Sequence, residues 1–415
     1  MSSEWPFVMV EDVCELIVDC VNKTAPIVTE VTPYRMIRTT NVRNGRIDLS
    51  GCKFVKQETY KTWTRRAQLN YGDVVLTREA PIGEVGMVTE AEGVFLGQRL
   101  MQYRVNPQSL DARFLLYSFL SPSLQQQFGS HEGSGSVVSH IRVGDCFKFK
   151  LKLPPLEVQQ GIATMLGAID DRIALLRETN CTLEAIAQVL FKSWFVDFDP
   201  VHAKQQGELP IDLEKTTAAL FPNSFEISEM GLIPTGWKIE RIDNLLELAY
   251  GKALKASERI NGQVPVYGSG GVTGYHNEAL VDGPSIIIGR KGTVGSLYWE
   301  DRPFFPIDTV FFVKSKLPLT YCYYLLKTLG LSEMNTDAAV PGLNRNNVYR
   351  LLVRCPSPEL LTEFDNIVSG LRHRIFLNMV QIQTLTALRD TLLPRLISGQ
   401  LRLPDLGSIA ELKAA

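Results

Sequence analysis

Basic side chains follow an apolar strand in the second half of the sequence, at Arg290 and Lys291. A guanidinium group can donate two parallel hydrogen bonds to O6 and N7 of guanine, and an ammonium group can neutralise a phosphate. Asn344 and Arg345 add an amide suited to adenine and a second guanidinium group. Surface arginines and lysines are usually only solvated, so each of these residues is a candidate for DNA contact and not an established contact. Together, these residue types point to contact with a nucleic acid.

The first half of the sequence holds counterparts of these residues. Arg78 also follows an apolar strand, but Glu79 stands where the second half has Lys291. The segment from Ser136 to His140 is the counterpart of the second basic loop. Because the charge differs between Glu79 and Lys291, we expect the two halves to contact different bases.

Two loops rich in glycine and serine, GSHEGSGS (129–136) and YGSGGVTGY (267–275), interrupt the two halves. Such loops let backbone amides approach a phosphate or a base edge closely. In the second loop, Ser269 is a further candidate, and Tyr267 and Tyr275 can pack on sugars. The loops also fit hairpin turns with no further role. They do not match a nucleotide-binding motif, and neither does GRKGTVGS (289–296).

Residues that would carry catalysis or hold a metal are not grouped in the sequence. There is no N-P-P-Y-type or glycine-rich S-adenosylmethionine motif, no H-E-x-x-H motif and no Cys/His cluster. The seven scattered cysteines indicate reduced thiols in a cytoplasmic protein, and no apolar run is long enough to predict a membrane span. We therefore expect no catalytic residue, metal or cofactor in this chain.

The net charge of −2 is unusual for a nucleic-acid binder, but the charge is unevenly distributed. Residues 1–152 carry 18 Lys and Arg against 16 Asp and Glu, residues 235–355 carry 14 against 11, and residues 153–234 carry 5 against 12. Local patches decide the affinity for a polyanion. The two mildly basic blocks therefore permit DNA binding.

An internal repeat organises the chain. SEWPFVMVEDVCEL (3–16) is similar to TGWKIERIDNLLEL (235–248), and VVLTREAPIG (74–83) is similar to IIIGRKGTVG (286–295). A third block, 154–176, is similar to 356–378. The matches keep their order while the offset falls from 232 to 212 to 202 residues. We predict two copies of one unit, the first with longer loops.

The third block of the repeat has the periodicity of a coiled coil. Apolar residues alternate steps of four and three over 162–194 and again over 364–396. Each seam holds one asparagine, Asn180 in the first and Asn378 in the second. In an antiparallel pair these amides would face each other, and the hydrogen bond between them would fix the register. Two unrelated amphipathic helices, each packed on its own domain, are the alternative.

The first seam spans 33 positions, roughly 50 Å at 1.5 Å per residue. A rod of that length would hold domains at its ends more than one turn of duplex, about 34 Å, apart. Such an architecture suits a bipartite DNA site with an unread gap. The predicted fold class is α+β, with two mixed α/β target-recognition domains in a pseudo-two-fold arrangement, separated by two long helices that form an antiparallel coiled coil.

The strand-rich domains have recognisable borders. FKFKLKL (147–153) alternates apolar residues and lysines, which predicts a half-buried strand at the end of the first domain. The predicted organisation is 1–153 for the first target-recognition domain, 154–200 for the first spacer helix, 201–234 for a connector, 235–355 for the second target-recognition domain, 356–398 for the second spacer helix and 399–415 for a C-terminal tail.

The repeat, the stretch LPPLEVQQGIA…AIDDRI…LFKSWFVDFDP and the connector LFPNSFEISEMGLIPTGW (220–237) carry a family resemblance. Over nearly the whole chain, the sequence resembles the specificity subunits of type I restriction–modification enzymes. The resemblance implies a non-catalytic subunit whose two domains each contact one half of a split double-stranded DNA site. It also implies that the helices dock two modification subunits, which methylate adenine with S-adenosylmethionine. Restriction subunits would join to cleave DNA with ATP and Mg²⁺.

Lys192, Trp194 and Phe195 match the family's LF-K-S-W-F-x-x-F segment, which makes them candidates for docking a partner or a domain. Internal packing is an equal alternative, and the second copy departs from the segment at PRLISGQL (394–401). Two other functions remain open. A catalytic DNA modification protein would have to bind its cofactor alone, and a coiled-coil scaffold would bind only proteins.

Overall fold

The computed structural model describes residues 5–131, 140–210, 213–334 and 342–403. The chain divides into two compact units. Unit 1 comprises Met1–Leu175 and Ile382–Ala415, and unit 2 comprises Leu176–Gln381. Each unit therefore contains one strand-rich domain and about half of each of two long helices.

The strand-rich domain of unit 1 is built from short elements. Its strands are β1 (Phe7–Met9), β2 (Cys14–Asp19), β3 (Arg35–Ile37), β4 (Val42–Arg43), β5 (Arg46–Ile47), β6 (Lys53–Phe54), β7 (Val74–Thr77), β8 (Val85–Met87), β9 (Val94–Leu96), β10 (Leu100–Val105) and β11 (Lys150–Lys152). Its helices are α1 (Val10–Val13), α2 (Gln57–Trp63), α3 (Ala112–Leu120) and α4 (Pro122–Gly129). The first long helix, α5 (Leu156–Phe195), begins in this unit.

Unit 2 contains the connector and the second strand-rich domain. Its further helices are α6 (Asp199–Gln205), α7 (Lys215–Ala219), α8 (Ile242–Leu245), α9 (Leu319–Thr328) and α10 (Arg345–Tyr349), and the second long helix, α11 (Pro358–Ile397), begins here. Its strands are β12 (Phe225–Ser228), β13 (Gly231–Pro234), β14 (Lys238–Arg241), β15 (Leu246–Tyr250), β16 (Val264–Gly268), β17 (Gly271–His276), β18 (Ser285–Gly289), β19 (Leu297–Glu300), β20 (Phe305–Pro306), β21 (Val310–Ser315) and β22 (Leu352–Cys355).

The two domains share one topology. A four-stranded antiparallel sheet has the order β2-β10-β7-β8 in unit 1 and β15-β21-β18-β19 in unit 2. A two-stranded antiparallel sheet joins the first and last strands of each domain, β1 with β11 and β14 with β22. Its register is also the same, because Phe7 lies opposite Lys152 and Ile239 lies opposite Arg354. These matches confirm the internal repeat.

The strand predicted over 147–153 is shorter than expected. β11 covers only Lys150–Lys152; its central residue Leu151 is buried, as is Phe149 directly before the strand. The chain before it turns instead, because the amide of Lys148 donates to the carbonyl of Asp145 at 3.0 Å. The alternation of apolar and lysine residues therefore extends beyond the strand itself.

The long helices pack into the core of each domain. In unit 1, Ile162 and Leu166 of α5 and Leu396 of α11 belong to the same apolar core as the strands β7 and β10. In unit 2, Ala187 of α5 and Val368 of α11 share a core with β15, β18 and β21. Most of the buried apolar side chains therefore belong to cores that a domain shares with segments of both long helices, and the burial of these cores stabilises both.

The helices α5 and α11 contain 40 residues each, about 60 Å at 1.5 Å per residue. Within unit 2, Asn180 contacts Asn378, and Glu184 contacts Arg372. Residue numbers thus rise along α5 while they fall along α11, which confirms an antiparallel coiled coil.

The two asparagines of the seams face each other as predicted. Nδ2 of Asn378 donates to Oδ1 of Asn180 at 2.8 Å, and Nδ2 of Asn180 lies 3.5 Å from the carbonyl oxygen of Ile375. Asn378 is only 1% exposed. A buried amide needs a hydrogen-bond partner, so each asparagine favours the register that brings the other opposite.

Replacing one asparagine should lower the free energy of unfolding by more than half of the amount lost when both are replaced. In Asn378→Leu, Asn180 loses its amide donor inside the seam, which should lower the free energy of unfolding by about 1–3 kcal/mol. In the double variant Asn180→Leu/Asn378→Leu neither polar group remains, and leucine fits an apolar seam. Urea unfolding of both single variants and the double variant gives the coupling between the two positions. Strictly additive losses would contradict the proposed pairing.

Candidate nucleic-acid interface

Backbone hydrogen bonds bring the two predicted basic loops of unit 2 together. The amides of Arg290 and Lys291 donate to the carbonyl of Thr309 at 2.9 and 3.1 Å. The carbonyl of Arg290 in turn accepts from the amide of Leu343 at 2.8 Å. The residues after β18 therefore lie directly against the segment that leads into α10.

Arg290 and Arg345 lie against the same aromatic ring. The guanidinium carbon of each is 4.9 Å from the centre of the Tyr250 ring, at the end of β15. Nη1 of Arg290 also donates to the carbonyl of Asp308 at 3.0 Å, and Nη1 of Arg345 lies 3.5 Å from the carbonyl of Leu248. Contact with an aromatic face stabilises a cation and limits its conformations. We call Tyr250, Arg290 and Arg345 the Tyr250 cluster.

The cations of this region lack carboxylate partners. Among the described residues, neither Arg290, Lys291 nor Arg345 has an Asp or Glu oxygen within 4.0 Å, whereas Arg302 of the same domain pairs with Glu300 at 3.0 Å. Lys291 is exposed, and Tyr250 is 49% exposed. Two half-buried arginines and an exposed lysine thus form a positive region whose donors can turn to a phosphate or a base edge.

Ser269 lies beside the same loop. Its Oγ accepts from the amide of Thr293 at 3.4 Å, and its carbonyl accepts from the hydroxyl of Ser296 at 2.6 Å. A Cβ atom added to Gly292 would lie 3.1 Å from Ser269 Oγ, and Gly292 has a φ of +85°. A side chain at position 292 would therefore be strained and crowded, which keeps the backbone next to Lys291 accessible.

Asn344 is placed with the cluster, but part of its amide is already used. Its side-chain oxygen caps α10 by accepting from the amide of Asn346 at 2.9 Å. Recognition of adenine by an asparagine requires both its oxygen and its nitrogen. In this conformation Asn344 offers only its nitrogen, so its first role is to begin the helix that carries Arg345.

Tyr267 is not at the surface, contrary to our expectation that it packs on a sugar. It is 7% exposed, its ring contacts Phe304, and its hydroxyl donates to Glu300 at 2.9 Å. Burial, followed by the charge of Glu300, raises the pKa of Tyr267. Alternation along β16 places this ring on the inner face of the sheet, and of the two tyrosines only Tyr275, 53% exposed, remains at the surface.

The corresponding place in unit 1 has the same backbone and different side chains. The amide of Arg78 donates to the carbonyl of Arg99 at 2.8 Å, and its carbonyl accepts from the amide of Ile141 at 3.0 Å. Nη1 of Arg78 bonds to the carbonyl of Ile141 at 3.1 Å, and Glu79 pairs with Arg99 at 3.0 Å. In the sheets, Tyr250 lies opposite Phe311, and Asp19 lies opposite the corresponding residue of unit 1, Met101, so Asp19 takes the position of Tyr250. Unit 1 therefore lacks the ring that holds the two arginines of unit 2.

The remaining DNA-contact candidates of unit 1 are His140 and Ser136. His140 is half-buried and directly precedes Ile141, so it lies next to Arg78 in the same way that Gly342 lies next to the basic loop of unit 2. Ser136 lies outside the described residues.

The family segment at the end of α5 is mainly a packing element. Trp194 is 1% exposed and Phe195 is 6% exposed. Their rings contact Phe221, Trp237 and several neighbours in the core of unit 2. Of the two alternatives for these residues, internal packing accounts for their burial, and neither ring is available to a partner. Lys192 is exposed and pairs with Asp197 on the same helix end.

Tyr250 was not among the residues predicted from the sequence, and neither were Asp170 and Glu184, whose carboxylates accept from tyrosines of α3 and α9. Tyr250 was visible only as an aromatic residue before a glycine, and its role depends on two arginines that are 40 and 95 residues away in the chain. Position in the repeat is the signal that could have marked it, since the corresponding strand position of the first copy holds Asp19 and no aromatic ring.

Glu300 provides a pH-dependent contribution to the stability of unit 2. Burial opposes its ionisation, but hydrogen bonds from Arg302 outweigh burial and hold its pKa below the ordinary 4.5. Its ionised form therefore stabilises the fold above the unfolded pKa, and this contribution is lost as the pH falls through the lower folded pKa. We expect the difference in urea midpoint between the wild type and Glu300→Gln to be largest near pH 6 and to shrink toward pH 3. A difference that does not change with pH would contradict this assignment.

Among the described residues, no helix is both long and apolar enough to span a membrane. No group of three or more His, Cys, Asp or Glu side chains within the described ranges is arranged to hold a metal ion.

Comparisons with known proteins agree with this geometry. The model of the type I restriction modification DNA specificity domain matches residues 2–185 and 234–351. The chain is 24% identical to the type I restriction enzyme HindI specificity subunit of Haemophilus influenzae, over 75% of this chain and 82% of the relative. It is 26% identical to the MjaIX specificity subunit of Methanocaldococcus jannaschii, over 81% of this chain and 79% of the relative.

A solved structure shows the same fold. The S subunit of a type I restriction-modification system from M. genitalium superposes with a TM-score of 0.58 at 20% identity, and the match covers 97% of both chains. Because the family model matches most of the sequence, this chain belongs to the type I restriction modification DNA specificity domain family and is a non-catalytic specificity subunit.

Proposed function

We propose that the target-recognition domains 1–153 and 235–355 each read one half of a bipartite double-stranded DNA site. The spacer helices 154–200 and 356–398 would set the unread gap, with 201–234 as connector and 399–415 as tail. The observation that carries this proposal is one backbone frame, built twice, with different side chains at the same place. Unit 2 presents the Tyr250 cluster, and unit 1 presents Arg78 beside the Glu79–Arg99 pair.

The chemistry of each face suggests separate roles for its residues. In unit 2, Arg290 and Arg345 are restricted by the Tyr250 ring, which suits them for directed hydrogen bonds to base acceptors such as O6 and N7 of guanine. Lys291 and Ser269 lie at the exposed edge and suit phosphate contacts. In unit 1 we assign base contact to Arg78, Ser136 and His140.

Specificity subunits of type I systems act together with other restriction–modification subunits and DNA. We propose that this chain binds two modification subunits and that restriction subunits complete the complex in the cytoplasm. S-adenosylmethionine, ATP and Mg²⁺ would be bound by those partners and not by this chain. The helices offer apolar side chains for docking. Exposed examples in unit 2 are Ile186 and Val189 on α5 and Leu377 and Val380 on α11, and Lys192 lies further along α5.

Loss of the basic residues of unit 2 should weaken recognition of one half-site. Mapping methylated adenines in DNA from cells that carry this subunit and its modification partner identifies the site. With that duplex, Arg290→Ala should reduce the affinity of the reconstituted complex about tenfold and relax selectivity in one half-site only. Lys291→Ala should weaken binding to all sequences and lower its salt dependence.

Lys255→Ala is the matched control for these variants, because Lys255 is an exposed cation of unit 2 that pairs with Glu258 at 3.8 Å. Its DNA affinity should stay at the wild-type level. Unchanged affinity and site choice in an Arg290→Glu/Lys291→Glu variant would instead favour a scaffold that binds only proteins. Methylation at a continuous site without a gap would contradict the spacer role.

An exposed apolar residue of α5 tests the docking surface. Val189 is 68% exposed, so its replacement by aspartate should leave the fold intact. We expect Val189→Asp to weaken the complex with the modification subunit by at least tenfold, because a charge would be buried in the interface. Val189→Ile keeps the apolar surface and should bind as the wild type does. Equal binding by both variants, measured by size-exclusion chromatography or calorimetry, would exclude this part of α5 from the interface.

A further inference from the structure

A half-buried carboxylate joins the recognition domain of unit 2 to both long helices. Oε2 of Glu184, on α5, accepts from the hydroxyl of Tyr324 at 3.1 Å and from Nη1 of Arg372 at 2.9 Å. Its other oxygen accepts from Nζ of Lys327 at 2.6 Å. Tyr324 and Lys327 belong to α9 of the domain, whereas Arg372 belongs to α11. Three elements therefore meet at one side chain.

Arg372 extends this contact into the recognition sheet. It is 9% exposed, and its guanidinium carbon lies 4.6 Å from the ring centre of Trp299 and 5.1 Å from that of Tyr323. Trp299 is part of β19, which pairs with β18, the strand that directly precedes Arg290 and the basic loop. The position of the DNA-contact candidates is thus linked to α11 through one buried cation.

Unit 1 contains the same kind of contact, made by other residues. The hydroxyl of Tyr117, on α3, donates to Oδ2 of Asp170 on α5 at 2.9 Å. Nη1 of Arg389, on α11, donates to Oδ1 of the same carboxylate at 2.8 Å. Nη2 of Arg46, from β5, bonds to the carbonyl of Asp170 at 2.6 Å. A tyrosine of the domain, a carboxylate of α5 and an arginine of α11 again form one group.

The two groups are not simple copies of each other. With the helix offset of 202 residues, Asp170 of the first copy corresponds to Arg372 of the second. The acid stands at this position in unit 1 and the base in unit 2, and each found its partner on the opposite helix. In both units the carboxylate lies on α5 and the arginine on α11, so the contact of tyrosine, carboxylate and arginine persists although the acid and the base occupy different positions of the repeat. Duplication alone would have kept the same charge at the same place.

We propose that these two clamps, Tyr117–Asp170–Arg389 and Tyr324–Glu184–Arg372, position each recognition domain on the helix pair and so restrict the gap length that the protein accepts. This inference rests on the proposed reading of a bipartite site. The six side chains are positioning residues and do not themselves contact DNA.

Directionality explains why the polar groups, and not the surrounding core, would serve this purpose. Apolar packing is non-directional, so a domain can rotate slightly on its helices at small cost. Hydrogen bonds to a charged group are short and depend on angle. One additional base pair displaces a half-site by about 3.4 Å and rotates it by about 35°. A domain held by a clamp cannot follow such a change without breaking its hydrogen bonds.

The test compares two tyrosines of the same helix. Tyr324→Phe removes only the clamp hydroxyl. Tyr321→Phe is the matched control, because the hydroxyl of Tyr321 is also buried but donates to the carbonyl of Arg354 within the domain, at 3.1 Å. Each full-length variant is assembled with its modification subunit. Initial methylation rates are measured on duplexes with the mapped gap and with gaps one base pair shorter and longer.

We expect Tyr324→Phe to lower the ratio of native-gap to altered-gap rates about fivefold, the factor that corresponds to one net hydrogen bond of about 1 kcal/mol. The ratio should fall because the duplexes with altered gaps are methylated faster. Tyr321→Phe should keep the wild-type ratio despite its lower stability. Tyr117→Phe repeats the test in unit 1 and replaces it if Tyr324→Phe does not fold.

Two results would overturn the inference while leaving the proposed function intact. One is a wild-type preference for a single gap that both clamp variants retain. The other is an equal loss of that preference in Tyr321→Phe, since a merely structural effect would then suffice. A wild-type complex that methylates all gap lengths equally would overturn the clamp and the spacer role together.

Discussion

The hydrogen bond between Asn180 and Asn378 constrains the rest of the molecule more than any other single contact. A coiled-coil seam of apolar residues tolerates a shift by one heptad, because leucine, isoleucine and valine pack in similar ways. The pair of amides does not tolerate it, since the buried Asn378 and the half-buried Asn180 would each lose the other as partner. The pair therefore selects one alignment of α5 and α11. Within unit 2, that alignment brings Glu184 to Arg372.

The domains show how one fold can contact different sequences. Arg78 and Arg290 make the same backbone hydrogen bonds in their two domains. In each, for example, the carbonyl of the arginine accepts from one amide, that of Ile141 in unit 1 and that of Leu343 in unit 2. These bonds depend on the chain path and leave the side chains free to differ. The corresponding strand position holds Asp19 in unit 1 and Tyr250 in unit 2, which gives the basic groups different surroundings without a change of fold. Selection can vary the recognised bases while the frame and the helices stay constant.

Regular features of the structure were accessible from the sequence, and features that depend on tertiary contacts were not. Heptad periodicity predicted both long helices and the facing asparagines, because the period of a buried face is written in consecutive residues. Burial of an individual aromatic residue is not local information. Tyr267 and Trp194 looked suitable for DNA or partner contact, yet the sheet and the helix end turn both rings into the core.

The same limit applies to groups formed from distant segments. Tyr250 becomes part of a candidate interface only when β15, the turn after β18 and the start of α10 meet. Asp170 likewise accepts from Tyr117 and Arg389, which lie 53 and 219 residues away in the chain. Periodicity cannot reveal such partners. An internal repeat reveals some of them, because a position that differs between two otherwise matching copies marks a place where function has diverged.

The distribution of paired and unpaired charges reconciles the small negative net charge with DNA binding. Several carboxylates of the acidic helix region are already neutralised within the protein, since Asp170, Asp171 and Glu184 pair with arginines or a lysine. Arg290, Lys291 and Arg345 of unit 2, by contrast, pair with no carboxylate among the described residues. Only unpaired charge is available to an approaching polyanion, and a duplex responds to the potential of the nearest face over about 10 Å in physiological salt. The net charge counts paired and unpaired side chains equally, so it is a poor guide to DNA binding here. Which cations have a carboxylate partner inside the protein decides which surface meets DNA.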